Sequence, residues 1–313
     1  MIIDTGRLLR IVLGMFFGVV GIAHAQDLPI AFQSPSDAEE EAETLRVIDQ
    51  RELGNLLQWS RNPSYAGGPD LSEPLVSDRP DFTEASSTVG RGVSQYEVGY
   101  TYTYDVDGGT RVRSQSIGEP LLRRGMFADW FELRLGLFPV NERVRDNGSS
   151  RTTIGTEDLY LGAKLGITPQ DGMLPEMALI PQMTVPTGSE DFSAGEVLPG
   201  ALWAYSWELE SGYEISANTQ VNRAIDDLSE RTYWELAQSV AIGFDLVGRF
   251  GGYTEWYAMF PSSSESAQVE HYFNGGITYL CHKDLQLDFR AGTGLSESSD
   301  DFFLGIGFVA RFP

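Results

Sequence analysis

A single cysteine, Cys281, stands in a chain of 313 residues. No internal disulfide can form. Large secreted domains do without them, so this narrows the fold little. Histidine is nearly as scarce. There are three, and His24, His271 and His282 share no ligand spacing. A metal site built on them is not expected. Cys281 beside His282 admits a nucleophile reading, but the plainer one is a residue at a strand end. No G-x-S-x-G, P-loop or dinucleotide fingerprint occurs. The chain is therefore expected to be no enzyme and to hold no cofactor. Basic charge is also short, with 22 Lys and Arg against 45 Asp and Glu, a net of −23. Phosphate contacts need clustered Lys and Arg, so no nucleic acid partner is expected. Beyond the first 25 residues, long apolar runs are missing. Each is interrupted by a charge, Gly or Pro within a few residues, so no helix should cross a membrane.

The exception is the start, MIIDTGRLLRIVLGMFFGVVGIAHAQ. Arg7 and Arg10 precede an apolar run, Ile11 to Ile22, that is too short to span a bilayer. Ala23-His24-Ala25 is an A-x-A cleavage site, so residues 1–25 read as a secretory signal peptide with Gln26 as the mature start. No cysteine sits at the cut, which argues against a lipoprotein. An exported chain of this kind is either a soluble extracytoplasmic protein or an outer-membrane barrel. Residues 26–74 differ from the rest. Ser36 with Glu39 forms a capping box. Leu45, Ile48, Leu53, Leu56 and Leu57 approximate a helical stripe, and a Pro/Gly linker follows from Asn62. This acidic helical segment reads as a tether, or else as a periplasmic partner-binding helix.

From Val93 onward, residues alternate. Tyr96, Val98, Tyr100, Tyr102 and Tyr104 share one face of the first strand, with Gln95, Glu97, Gly99, Thr101 and Thr103 on the other. A period of two with aromatic and β-branched residues is a strand. Twelve such strands are expected: 93–105, 110–118, 130–140, 158–168, 177–185, 200–209, 213–222, 232–245, 249–260, 269–280, 285–295 and 302–312. Pro181 interrupts the fifth, a residue tolerated only at an edge or bulge. Connections after odd strands are mostly long and polar, with Asn141–Glu157 the longest. Connections after even strands are often tight, although Glu119–Asp129 and Pro169–Glu176 are looser. Long outer loops alternating with short periplasmic turns are the pattern of an antiparallel transmembrane β-barrel. A soluble β-sandwich is the alternative fold.

Charge keeps to the small-polar face. Glu97, Glu132, Arg134, Lys164, Glu214, Glu235, Asp245, Asp288, Arg290 and Arg311 all fall there. In a barrel they would line the lumen, because Arg or Lys on the lipid face costs about 2–4 kcal/mol at midplane. Asp226-Asp227 and Asp300-Asp301 fall in the expected outer loops. They suit divalent or lipopolysaccharide-bridging cations, or are solvated loop acids.

Four stretches carry a family resemblance: Ser77–Asp105 with its DRPDFTE start, Leu121–Leu137, IPQMTVPTGSEDFS at 180–193, and the ending LDFRAGTGLSESSDDFFLGIGFVARFP. Over about residues 75–313 the chain resembles the outer-membrane transporter family named for the MetA pathway of phenol degradation. That resemblance implies an outer-membrane barrel labelled a transporter, with no defined substrate. The last strand also resembles the signal read by the barrel-assembly machinery, with Leu304, Ile306, Phe308 and Phe312 alternating. Pro313 departs from it by following the aromatic.

Asp78, Arg79, Asp81, Phe82 and Glu84 precede the first strand in a segment with no element of its own. The expectation is that this segment enters the periplasmic mouth and pairs with lumen charges such as Arg134, Lys164 or Arg290, as a plug or as a structural latch. The function expected is an outer-membrane channel or transporter for small molecules. The alternative is a structural or surface-interaction barrel with a filled lumen. Expected partners are outer-membrane lipid and lipopolysaccharide, the assembly machinery, and an unspecified small solute.

Overall fold

The computed structural model describes residues 71–313 except 147, 210, 211 and 227. The signal peptide, the helical stripe and most of the linker lie outside the described residues. Those described belong to one compact unit, Arg51–Pro313. Among them no helix is long and apolar enough to cross a membrane.

Fourteen strand segments form one antiparallel sheet: β1 (Ser94–Asp107), β2 (Thr110–Gly125), β3 (Phe131–Gly136), β4 (Pro139–Asp146), β5 (Ser149–Thr156), β6 (Leu159–Thr168), β7 (Glu176–Val185), β8 (Leu198–Glu208), β9 (Tyr213–Ile225), β10 (Thr232–Asp245), β11 (Phe250–Ser262), β12 (Glu270–His282), β13 (Leu285–Gly294) and β14 (Phe302–Phe312). β1 pairs with β2 on one side and β14 on the other, so the sheet closes. β3 and β4 both pair with β2 and are two halves of one barrel strand. β5 and β6 are likewise halves of the next, paired with β4 and β3 respectively. The wall is therefore a closed barrel of twelve strands, as the alternation indicated.

The two breaks have a common cause. Gly118 and Glu119 take φ of +84° and +37°, and Pro120 follows with no N–H to donate. The β1–β2 register shifts at this bulge. Directly across, the next barrel strand breaks at Leu137–Phe138, and its neighbour breaks at Glu157–Asp158. A line of irregularity thus crosses three adjacent strands. Above it the β4–β5 hairpin continues with the same pairing.

This corrects three expectations. Asn141–Glu157 is mostly hairpin rather than loop. Its two faces are both polar, so it carries no apolar stripe to announce a strand. Glu119–Asp129 is mostly strand, because the bulge reset the alternation beyond Gly118. Pro181 itself sits at no bulge; the one register shift of the β6–β7 ladder lies between Gly166 and Thr168. Gly162↔Gln182 and Leu165↔Leu179 share one register, and only the two intervening bridges to β6 are missing. On the β8 side Pro181 still faces Ala201.

The core is inverted relative to a soluble protein. Leu135, Trp203, Leu236, Val240, Leu287, Ile306 and Phe308 point outward and are exposed, whereas Glu97, Arg123, Glu132, Lys164, Asn218, Ser239, Glu255 and Asn274 are buried inside. An apolar belt outside and polar groups inside are what a bilayer requires of a barrel. Aromatic side chains mark both rims. At the end with short turns stand Tyr96 against Phe312 and Phe250 against Tyr279. At the end with long loops Phe302 packs on Tyr102 and Tyr104.

Candidate functional site

The barrel wall satisfies its own backbone. Residues 77–93 belong to no strand of the sheet, so their N–H and C=O groups need other partners. They find them across the lumen. The segment is anchored at the short-turn end, where Leu75 N–H donates to the Lys283 carbonyl at 2.8 Å. Arg311 grips the same entry, bonding the Glu73 carbonyl at 2.8 Å and the Asp284 carboxylate at 2.6 Å.

Asp78 is the centre of the first cluster. Its carboxylate meets Lys164 Nζ at 2.9 Å, Arg123 Nη1 at 3.0 Å and Arg134 Nη1 at 2.5 Å. The same carboxylate accepts the Ala85 N–H at 2.9 Å, which folds the segment back on itself. Asp78 N–H donates to Glu97 at 3.2 Å. Arg123 also holds Glu132 at 2.7 Å and Glu97 at 3.2 Å, and Arg134 pairs with Glu84. Lys164 donates further to the carbonyls of Ala85 and Ser87, and Glu132 accepts the Val89 N–H at 2.9 Å. Lys164, Arg123 and Glu132 are each 0% exposed. Three cations and four carboxylates therefore meet here, all but Glu84 shut off from water.

Arg79 crosses to another part of the wall. It pairs with Glu119 at 2.7 Å and Asp288 at 3.3 Å. Its guanidinium lies against Gly99 and Gly307, which are cross-strand partners. A Cβ on Gly99 would stand 2.3 Å from the guanidinium, and one on Gly307 would stand 2.5 Å away. The two glycines make the slot that this arginine fills. Beside it Arg290 donates to the Pro80 carbonyl at 2.9 Å and to Thr101 at 2.8 Å.

The third contact is a carboxylate that caps backbone. Glu255 accepts the N–H groups of Phe82 and Thr83 at 2.9 and 2.7 Å, the Thr83 hydroxyl at 2.6 Å, and Asn274 at 2.7 Å. The Phe82 ring stacks on Tyr257, with centroids 4.4 Å apart. Tyr257 stacks in turn on Tyr272, and both adjoin Phe303, with Arg290 over the Phe303 ring. An inward aromatic wall thus rises from the segment. Asp81 forms no ion pair among the described residues.

Not every expected lumen charge joins this assembly. Glu214 and Asp245 lie exposed near the short turns. Glu214 accepts only the neighbouring Ser216 hydroxyl, and Glu235, nearer the long loops, accepts Tyr233. Conversely, Arg123 and Glu255 carry two of the main clusters and were missed from sequence. Arg123 lay past the bulge in a stretch read as a connection. Glu255 lay on the inward row Tyr253–Glu255–Tyr257, which alternation does reveal. Among the described residues, no group of three or more His, Cys, Asp and Glu is arranged to hold a metal.

The long-loop end has its own organisers. Asp226, which is 2% exposed, is no solvated acid. One oxygen accepts Leu228 N–H, Ser229 N–H and the Ser229 hydroxyl. The other accepts Glu265 N–H, Ser266 N–H and the hydroxyls of Ser264 and Ser266. These bonds hold its carboxyl far below the usual carboxylate range. Asp158 similarly accepts Gly188 and Ala194 N–H at 2.9 Å each, which seats the VPTG turn over the strand break.

Solved structures similar to this chain include outer-membrane barrels. An outer membrane channel from Pseudomonas putida F1 superposes with a TM-score of 0.59 at 16% identity, covering 75% of this chain and 99% of that one. The transport unit of the autotransporter AIDA-I from Escherichia coli follows at 0.48 and 9%, covering 75% and 93%. The translocator domain of the autotransporter NalP from Neisseria meningitidis gives 0.45 and 9%, covering 88% and 96%. At 16% identity the likeness to the Pseudomonas putida channel is one of fold. No curated protein matches the chain. The family profile described as "Putative MetA-pathway of phenol degradation" matches residues 77–312, from the first residue of the lumen segment to the last of the closing strand, and the chain belongs to that family.

Proposed function

We propose that this chain is an outer-membrane channel for small molecules, with residues 77–93 as the element that sets its conductance. One observation carries the reading: the twelve-stranded wall closes without the segment, which is held only by ion pairs, hydrogen bonds and packing. Such contacts can be exchanged for water without opening the sheet. In this reading the signal peptide exports the chain, the long loops face outward, and the strand ending in Phe312 engages the assembly machinery. Selectivity comes from lumen width and inward charge. That charge is mixed within the lumen and acidic in the loops, which gives a mild preference for cations.

The test is conductance in planar bilayers, with Arg79→Ala beside the unaltered protein. Arg79→Ala removes the contacts to Glu119, Asp288 and the Ile306 carbonyl and leaves the strand-to-strand ladder itself in place. The expected result is measurable conductance that rises in the variant. No conductance in either protein would overturn the channel. A second reading has an observation in its favour. Arg123, Glu132 and Lys164 are wholly buried at the level of the segment, which suits a structural barrel with a filled lumen. That reading expects Arg79→Ala to lower stability and leave the bilayer silent.

A further inference from the structure

The outer surface holds one patch that the channel reading does not use. On β2, Arg111 and Arg113 fall on the same row as Ile117, which is exposed on the outward face. Their cross-strand partners on β4 are Arg145 and Arg143. Two Arg–Arg pairs therefore face each other directly, and all four side chains are exposed. Like charges directly opposed in a sheet are destabilising. Among the described residues none of the four forms a salt bridge. Arg143 donates to the Ser150 hydroxyl, and Arg113 lies 5.7 Å over the Tyr104 ring. The acids of these strands point the other way. Asp105 and Asp107 of β1 and Glu142 and Asp146 of β4 occupy the inward rows. In a chain of net charge −23, four uncompensated arginines have been sorted onto one outer face.

Their height matters as much as their number. Tyr104 pairs with Arg113 across β1–β2 and packs on Phe302, so Arg113 and Arg143 stand level with the aromatic rim. Ile117, in the apolar belt, is four residues below, or about 13 Å along the strand. Arg111 and Arg145 stand two residues above the rim. A ligand held here meets arginine where lipid headgroups begin and hydrocarbon where their chains run. Guanidinium groups match phosphate bidentately and are well suited to it.

We infer that Arg111, Arg113, Arg143 and Arg145 bind the phosphorylated headgroup of an outer-leaflet glycolipid, with its acyl chains against the belt around Ile117. The inference rests on the proposed orientation, with the long loops outward, but not on conduction. Its test is made in detergent and is indifferent to whether the barrel conducts. The probe is a bisphosphorylated acylated disaccharide lipid, added to the purified full chain and followed by native mass spectrometry. Parallel samples receive the same lipid after phosphatase treatment, or inorganic pyrophosphate. The expected result is a lipid adduct that survives detergent exchange. Its retention falls more than about tenfold without the phosphates, or in the Arg111→Gln/Arg113→Gln/Arg143→Gln/Arg145→Gln variant, since each lost surface cation weakens binding of an anionic lipid. Removing opposed like charges should not harm folding, which heat-modifiable gel migration verifies. If that variant does not fold, Arg111→Gln/Arg145→Gln serves in its place, with a smaller fall expected. Equal retention by protein and variant would overturn the inference. So would pyrophosphate held as firmly as the lipid, which would make the patch a plain anion site.

Discussion

Asp78 and Asp226 are both buried carboxylates that organise a segment, and they do it by opposite means. Asp78, in the lumen, is surrounded by Arg123, Arg134 and Lys164. Asp226, among the long loops, is surrounded by neutral N–H and O–H donors. In the Asp78 cluster the charges are tied to one another, so removing one strips ion pairs from groups that stay buried. At Asp226 the bonds join only two neighbouring loops, at 226–229 and 264–266, and their loss frees only those loops. The lumen should therefore respond globally to a substitution and the loops locally.

The largest effect follows from Asp78→Ala. It leaves Lys164 buried without its ion-pair partner and takes one partner each from Arg123 and Arg134, and breaking a buried pair in this way costs about 3–5 kcal/mol. The measurement is the temperature at which the folded, fast-migrating gel band is lost. A marked drop is expected, with Asp78→Asn intermediate because the amide oxygen can still accept the Ala85 N–H. An unchanged transition would mean that the cluster is not coupled to barrel stability, and the contrast with the loops would fail.

Asp226→Ala should act only where it sits. Loop 226–231 ends in Arg231, immediately before β10, and its other partners lie at 264–266. Limited trypsin digestion of the folded barrel should then cut after Arg231 faster than in the unaltered protein, since local opening governs such cleavage. The gel transition should stay where it was. Unchanged cleavage would show that the backbone bonds from Asp226 N–H to Arg231 and from Glu230 N–H to Asp226 suffice. A shifted global transition would erase the distinction between the two regions.

The same contrast decides what could be read from the sequence. Strand alternation depends on which face meets lipid, and that is a property of each strand alone. The twelve strands were therefore legible, including 232–245 and 302–312 to the residue. The lumen assembly depends on which groups meet across the barrel, and no local pattern carries that. Gly99 and Gly307 read as small residues on a wet face, yet they are the slot for Arg79. Arg123 was hidden because the bulge at Gly118–Glu119 shifts the alternation just before it. The β4–β5 hairpin was hidden because neither of its faces is apolar. Asp226 read as a solvated acid because the donors to one of its oxygens come from a loop some 40 residues on. DRPDFTE stood out as polar and Pro-broken, but Glu255, which receives its backbone, lies on a different strand.

The smallest effect sharpens the contrast within the loops themselves. Asp300 lies in the 295–301 loop near Asp105, Glu270 and Asp301. Burial, then these like charges, push its pKa up to about 6. Asp226 is shifted in the other direction. For Asp300 the folded state binds its proton more tightly than the unfolded chain, whose aspartates titrate near 3.9. Its ionisation therefore opposes the folded loop, and stability is lost as pH rises from about 4 through 6. For Asp226 stability is present above the unfolded value and is lost only as pH falls through a folded value far below it. Lowering pH from 7 to 5 should slow hydrogen exchange at Gly294, whose N–H donates to the Asp300 carbonyl, beyond the intrinsic change of the amide. Protection at Ser266 should not change. Asp300→Asn should abolish the first response. If both loops respond alike, local charge does not distinguish them, and the sorting of carboxylates into crowded and capped sites has no consequence for the fold.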